Sequence, residues 1–134
     1  MAEGKVAFEL VAPERLLLSE EVDMIEVPGE EGDFGVLPRH APMISTLRPG
    51  VIKVHNGAAI TERIFVAGGF AEVTPSRCTV LAEEALPVGE IDRAATEQRL
   101  SDARDDLLDA KDAIAKASCE QRVKVAEEML KAAG

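Results

Sequence analysis

Over residues 5–11 apolar and polar positions alternate, with Val6, Phe8 and Leu10 on one side and Lys5, Ala7 and Glu9 on the other. That is the period of a strand with one buried face. Pro13 ends it. Residues 15–19 and 22–27 follow as short strands, the second turning Ile25 and Val27 inward and leaving Asp23 and Glu26 to solvent, before Pro28-Gly29 turns the chain. Further strands are expected at 43–47, 51–55, 60–67, 70–74 and 77–82. Asn56-Gly57, between the strands at 51–55 and 60–67, is a hairpin signal of the type I′ kind, because both residues tolerate positive φ. Gly68-Gly69 reads as a bulge or a close backbone approach, since the strand pattern resumes at once with Phe70. Short strands with turn signals roughly every 8–12 residues predict an all-β sandwich or barrel.

Between the third and fourth strands, residues 31–43 are too rich in breakers for a helix or a central strand. Two glycines and two prolines fall within eleven residues, interleaved with Phe34, Val36, Leu37 and Met43. The expected form is an irregular loop pinned to a core, with Glu31, Asp33, Arg39 and His40 facing outward, where contacts to other molecules tend to sit.

After residues 86–89 the texture changes. From Asp92 to Ala133 there is no Gly or Pro, and apolar residues recur at 100, 103, 107, 110, 114 and 117, one face of a helix with Asp92 as its N-cap. Cys119, Val123, Ala126, Leu130 and Ala133 continue the rhythm out of phase, so two helices are expected. The break falls either at Ser118, whose spacing to Gln121 fits a capping box, or within the cluster Asp105, Asp106, Asp109 and Asp112. Acid-to-Lys pairs at i,i+4 are expected for Asp112 with Lys116, Glu120 with Lys124 and Glu127 with Lys131. The domains read as 1–88 and 89–134.

Composition narrows the function classes. The chain has 134 residues and a net charge of −10; residues 1–91 hold 15 acids and 7 bases, residues 92–134 hold 10 and 8. Such a surface repels phosphate backbones, and with no Trp or Tyr and four Phe there is no stacking platform. No nucleic acid partner is expected. The apolar run 64–71 is far shorter than the roughly 20 residues of a membrane span, and the first residues lack a signal-peptide layout, so the chain reads as a soluble cytoplasmic protein. Cys78 and Cys119 lack metal-ligand spacing and read as reduced thiols, and no metal or cofactor is expected. A hydrolase built on His40 and Asp33 lacks a third partner at useful spacing, and no catalytic residue is assigned. A free-standing β-sandwich adaptor or nucleotide sensor is the other alternative.

Four ordered motifs are specific: 31–42 (Glu-Gly-Asp-Phe-Gly-Val-Leu-Pro-Arg-His-Ala-Pro), 47–50 (Leu-Arg-Pro-Gly), 65–73 (Phe-Val-Ala-Gly-Gly-Phe-Ala-Glu-Val) and 79–85 (Thr-Val-Leu-Ala-Glu-Glu-Ala). In this order and spacing the chain resembles the epsilon subunits of bacterial F-type rotary ATP synthases. The resemblance implies a ten-stranded β-sandwich followed by an antiparallel helical hairpin, in a non-catalytic central-stalk subunit that couples c-ring rotation to the catalytic head. It implies that Glu31 and Asp33 face the c-ring, and that His40, with Gly68, Gly69 and Phe70, meets the gamma subunit. In members whose hairpin extends and inhibits ATP hydrolysis, basic residues reach the alpha and beta subunits; here Arg122, Lys124 and Lys131 are the candidates. The subunit would be peripheral, on the cytoplasmic side of the inner membrane, with no span of its own. Members that bind ATP carry Ile/Leu-Asp-x-x-Arg-Ala at the start of the hairpin. Here the chain reads Ile91-Asp92-Arg93-Ala94-Ala95, with Arg-Ala two positions early, so ATP sensing does not carry over.

Overall fold

A computed structural model of the protein describes residues 4–134. They fall into two compact units, one ending at Pro87 and the other running Val88–Gly134.

The first unit is built from ten strands: β1 (Val6–Ala12), β2 (Arg15–Val22), β3 (Met24–Gly29), β4 (Gly32–Val36), β5 (Met43–Leu47), β6 (Gly50–Asn56), β7 (Ala59–Val66), β8 (Gly69–Val73), β9 (Arg77–Ala82) and β10 (Ala85–Pro87). They pair in the order β10-β7-β6-β3-β5-β8-β9-β1-β2, with β4 on the flank of β3. All pairs are antiparallel except β1 with β9. β3 is the bridge between the halves. Its start pairs with β6 through Met24, Ile25 and Glu26, while its last residue, Gly29, is opposite Leu47 of β5.

The alternation expected for β1 holds, with Val6, Phe8 and Leu10 buried. Together with Val22, Ile25, Val27, Val36, Ile52, Val54, Ile64, Val66, Ala71, Val73, Cys78 and Val80 they form one apolar cluster. Strands from both halves contribute, which makes the unit a sandwich. No buried side-chain polar atom is left without a partner among the described residues, so the core carries no desolvation penalty of that kind.

Two strands lie outside the pattern read from the sequence. Residues 32–36, expected as irregular loop, form β4, because Phe34 and Val36 face the core while Asp33 and Gly35 occupy the alternate positions. β10 has only three residues and pairs Ala85 with Val66. The β6–β7 hairpin turns where expected, but one residue later: Asn56 pairs with Ala59, and Gly57, at φ 63, is the only turn residue with positive φ. That is the type II′ pattern, with glycine first, rather than type I′.

The second unit opens with a 3-10 turn at Val88–Glu90, followed by α1 (Arg93–Asp109) and α2 (Ala113–Ala133). Asp92 caps α1, accepting a hydrogen bond from the Ala95 amide at 3.0 Å. Asp112 caps α2 through the Ala115 amide at 2.8 Å. The break therefore lies at the end of the aspartate cluster, and Ser118 sits inside α2. Of the residues expected on the inner face, Leu100, Ala103, Cys119 and Ala126 are buried, joined by Thr96, Val125 and Met129. Across the helices Arg104 meets Glu127 at 3.5 Å and Arg122 meets Asp106 at 2.8 Å. Lys124 and Lys131 both turn to Glu128, not to Glu120 and Glu127.

Gly69 is the tightest point of the sandwich. At φ 121 it adopts a backbone region closed to most residues, and a Cβ there would lie 2.0 Å from the Leu81 carbonyl oxygen on β9. Gly69→Ala is expected to cost about 3 kcal/mol or more in thermal unfolding, or to prevent folding. An unchanged melting temperature would contradict the close approach.

Candidate interaction surface

The β3–β4 hairpin ends in Glu30 and Glu31, between the paired glycines Gly29 and Gly32. Gly29 is held tightly, because a Cβ there would meet the Gly32 carbonyl at 2.6 Å and the Phe34 ring at 2.9 Å. Arg48 fixes the corner. Its Nη1 donates to the Gly29 carbonyl at 2.5 Å, its Nη2 pairs with Asp33, and its amide donates to the Pro28 carbonyl at 3.0 Å. From the far side the Glu30 amide donates to the Thr46 carbonyl at 2.9 Å. Glu30 and Glu31 are thereby projected from a braced corner, both exposed. Asp33 is exposed too, but part of its charge is answered by Arg48. Beside the corner, β4 and β5 diverge around a depression of about 470 Å³ lined by residues 29–34 and 43–46.

The outer face of the β5–β8–β9 layer sets large apolar residues among polar ones such as Thr46, Glu72 and Thr79. Register sets Thr46 opposite Phe70, Phe70 opposite Leu81, Leu81 opposite Val11 and Val11 opposite Leu16. Ile44 shares the Thr46 side of β5. The exposure is 72% at Ile44, 55% at Leu16, 47% at Phe70 and 42% at Leu81. Phe70 and Leu81 stand directly opposite each other, Ile44 is diagonal to Phe70 and opposite Glu72, and Leu16 follows beyond the half-buried Val11. Contiguous apolar surface of this kind marks a contact site more often than scattered exposed leucines do. Of these residues the sequence assigned only Phe70 to a contact. Gly68 is buried and Gly69 half-buried, so they shape the strand that presents Phe70.

His40 borders the other end of this face. Leu37-Pro38-Arg39-His40 is a tight turn closed by the His40 amide on the Leu37 carbonyl at 3.2 Å. The His40 Nδ1 lies 2.6 Å from the Ala41 carbonyl oxygen; a carbonyl only accepts, so Nδ1 carries the proton and Nε2 is left free. His40 enters β5 at its Met43 end, whereas Asp33 meets Arg48 beyond its Leu47 end. Four residue steps of strand, about 13 Å, separate those ends. The two residues form no catalytic pair.

On the hairpin, Arg122 is engaged by Asp106, whose carboxylate raises the guanidinium pKa further above its ordinary value. Lys124 lies 3.1 Å and Lys131 3.5 Å from Glu128. Both polar groups of the displaced Asp-Arg motif are also used internally: Asp92 caps α1, and Arg93 donates to the Gly134 carbonyl.

Comparison with known proteins gives a consistent set of likenesses. Residues 5–88 match the family described as ATP synthase, Delta/Epsilon chain, beta-sandwich domain. The ATP synthase epsilon chain of Rhodospirillum rubrum is 54% identical over 125 residues, 93% of each chain. That of Paramagnetospirillum magneticum is 55% identical over 129 residues, 96% of each. Among solved structures, a chain of the Euglena gracilis mitochondrial ATP synthase, in an assembly of OSCP, F1 and c-ring, superposes with a TM-score of 0.82 at 25% identity, covering 98% of this chain and 82% of that one. A chain of the Tetrahymena thermophila central stalk and c-ring shares the fold, with a TM-score of 0.67 at 15% identity and 97% of each chain covered.

The described residues contain no cluster of three or more His, Cys, Asp or Glu arranged to hold a metal. Neither cysteine is placed to react: both are free and buried, and burial pushes the Cys78 thiol up to about 12. Thiolate is the reactive form. In a Cys119→Ser background, Cys78 is expected to react with a thiol reagent at pH 8 only as fast as the sandwich unfolds. Rapid stoichiometric labelling of the native protein would contradict that burial.

Proposed function

The chain belongs to the ATP synthase delta/epsilon family, and from that membership we propose that its two surface features divide the contacts of a stalk subunit between them. As a member it is a non-catalytic subunit of the ATP synthase complex, working in the central stalk. In our reading the apolar face of Ile44, Phe70 and Leu81, bordered by His40 with Gly68 and Gly69 beneath, docks on the gamma subunit, and the acidic corner of Glu31 and Asp33 rests on the polar loops of the c-ring. The observation that carries this reading is the exposed apolar group of Phe70, Leu81 and the diagonal Ile44, which costs free energy in a free subunit and is relieved by a partner.

The acidic corner suits the second contact. A rotating ring needs a footing that transmits torque without a deep apolar seal, and Glu31 on a hairpin braced by Arg48 offers a stiff negative contact for basic ring loops. The sandwich, residues 1–88, would thus hold both contacts, on the cytoplasmic side of the membrane. No described helix is long and apolar enough to cross a membrane, in keeping with a peripheral position.

The hairpin, residues 89–134, is the regulatory part in this reading. Of Arg122, Lys124 and Lys131, the candidates for acting on the alpha and beta subunits, only Arg122 is held across the hairpin, by Asp106, so opening the hairpin would release it. Lys124 and Lys131 pair with Glu128 on their own helix and would stay available in either state. With Asp92 and Arg93 committed to the hairpin itself, ATP is not the expected trigger.

Two variants test the division. Ile44→Lys with Phe70→Glu is expected to weaken binding to purified gamma by about a hundredfold, near 2.7 kcal/mol, with little change in melting temperature because both side chains are exposed. Unaltered affinity would remove the gamma assignment. Glu31→Lys with Asp33→Lys is expected to leave ATP hydrolysis intact in the reconstituted complex while reducing ATP-driven proton pumping; full coupling would sink the c-ring assignment.

A further inference from the structure

Arg39 occupies a backbone conformation that its side chain makes unfavourable. The turn Leu37-Pro38-Arg39-His40 has proline second and its third residue at φ 66, the form in which glycine or asparagine is favoured at that third position. Arg39 is the only described non-glycine residue with positive φ. The turn is nevertheless held firmly, by the His40 amide on the Leu37 carbonyl at 3.2 Å and by the Arg39 amide on the Pro75 carbonyl at 2.7 Å, which ties it to the β8–β9 connection. The guanidinium is exposed and has no hydrogen-bond or ion-pair partner among the described residues. In a chain of net charge −10, Arg48, Arg77, Arg104 and Arg122 meet carboxylates, whereas Arg39 shares its lack of a partner among the described residues with the exposed Arg15 and Arg63. What sets Arg39 apart is the strained, fixed turn that presents it, and that calls for a use outside the chain. Leu37 beside it is 55% exposed.

We propose that Arg39 is a specificity-determining anchor of the gamma-facing surface, its guanidinium received by a carboxylate of the partner next to an apolar recess that takes Leu37. This rests on the reading that gamma docks on the β5–β8–β9 face. The turn lies at the Met43 and Val73 ends of β5 and β8, on the rim of that face, where charged contacts select the partner and steer its approach while the apolar centre excludes water. A carboxylate matches the planar fork of arginine with two parallel hydrogen bonds. A strained backbone is kept where the orientation it imposes is useful, and here the orientation is that of an unpaired cation.

Titration of the full chain with purified gamma at two salt concentrations tests this. Arg39→Gly places a residue suited to the turn, so its melting temperature should equal or exceed that of the wild type, and a structural role for the side chain would instead lower it. Its affinity for gamma should fall about tenfold, the scale of one charge-assisted hydrogen-bonded pair, and the dependence on salt should become shallower. Arg39→Lys should recover part of the affinity, as a point charge without the fork. Wild-type affinity and salt dependence in Arg39→Gly would overturn the anchor while leaving the docking face intact. A wild-type chain that does not bind gamma would remove both.

Discussion

The corner at Gly29 is the constraint on which the rest of the sandwich depends. One short strand, β3, serves both layers, and its last residue must lack a side chain for the β3–β4 hairpin to close: a Cβ at Gly29 would press on the Gly32 carbonyl and the Phe34 ring. At the same point the chain must bridge to Leu47 of β5, which Arg48 secures by donating to the Gly29 carbonyl and pairing with Asp33. An arginine so placed acts less as a surface ion pair, worth little by itself, than as a clasp for two backbone segments. The acidic turn is rigid because the layers are joined there. Rigidity at the join between layers suits a hairpin read as bearing on a moving partner.

Much of the architecture was legible in local pattern. Alternation in β1, the glycine pair before Phe70 and the cap at Asp92 each follow from forces acting within a few residues, and each stands in the structure. What escaped depended on distant neighbours. β4 was hidden because its polar positions are glycines and an aspartate, which read as a loop until β3 is seen to pair with them. The helix break went to Asp112 over Ser118, a competition between two adequate caps that local chemistry leaves open. The hairpin turn shifted by one residue, and the register between β6 and β7 slips between Val54 and His55 just before it.

The candidate surface shows the same division more sharply. Glu31, Asp33, His40 and Phe70 sit in recognisable motifs. Ile44 and Leu16 do not, and Leu81, though inside a motif, was not marked as a contact, since each is one apolar residue in a strand full of them, and a step of one position would have buried it. Only the cross-strand register reveals that the outward-facing ones fall side by side. Function here is a property of a face, and a face is assembled from strands far apart in the chain. The helical hairpin differs in kind: Arg104 and Arg122 bridge its own two helices, so those two charges are answered within the hairpin in this conformation.

The central claim is that the outer side of β5, β8 and β9 is the buried side in the working complex. Amide hydrogen exchange of the chain alone and within the assembled ATP synthase addresses it most directly. The account predicts slowed exchange in the assembly over residues 37–46 and 69–82 and at the tip of the β3–β4 hairpin, with residues 59–64 of β7 little changed. Protection confined to β6 and β7, with residues 37–46 and 69–82 exchanging as in the free chain, would contradict it.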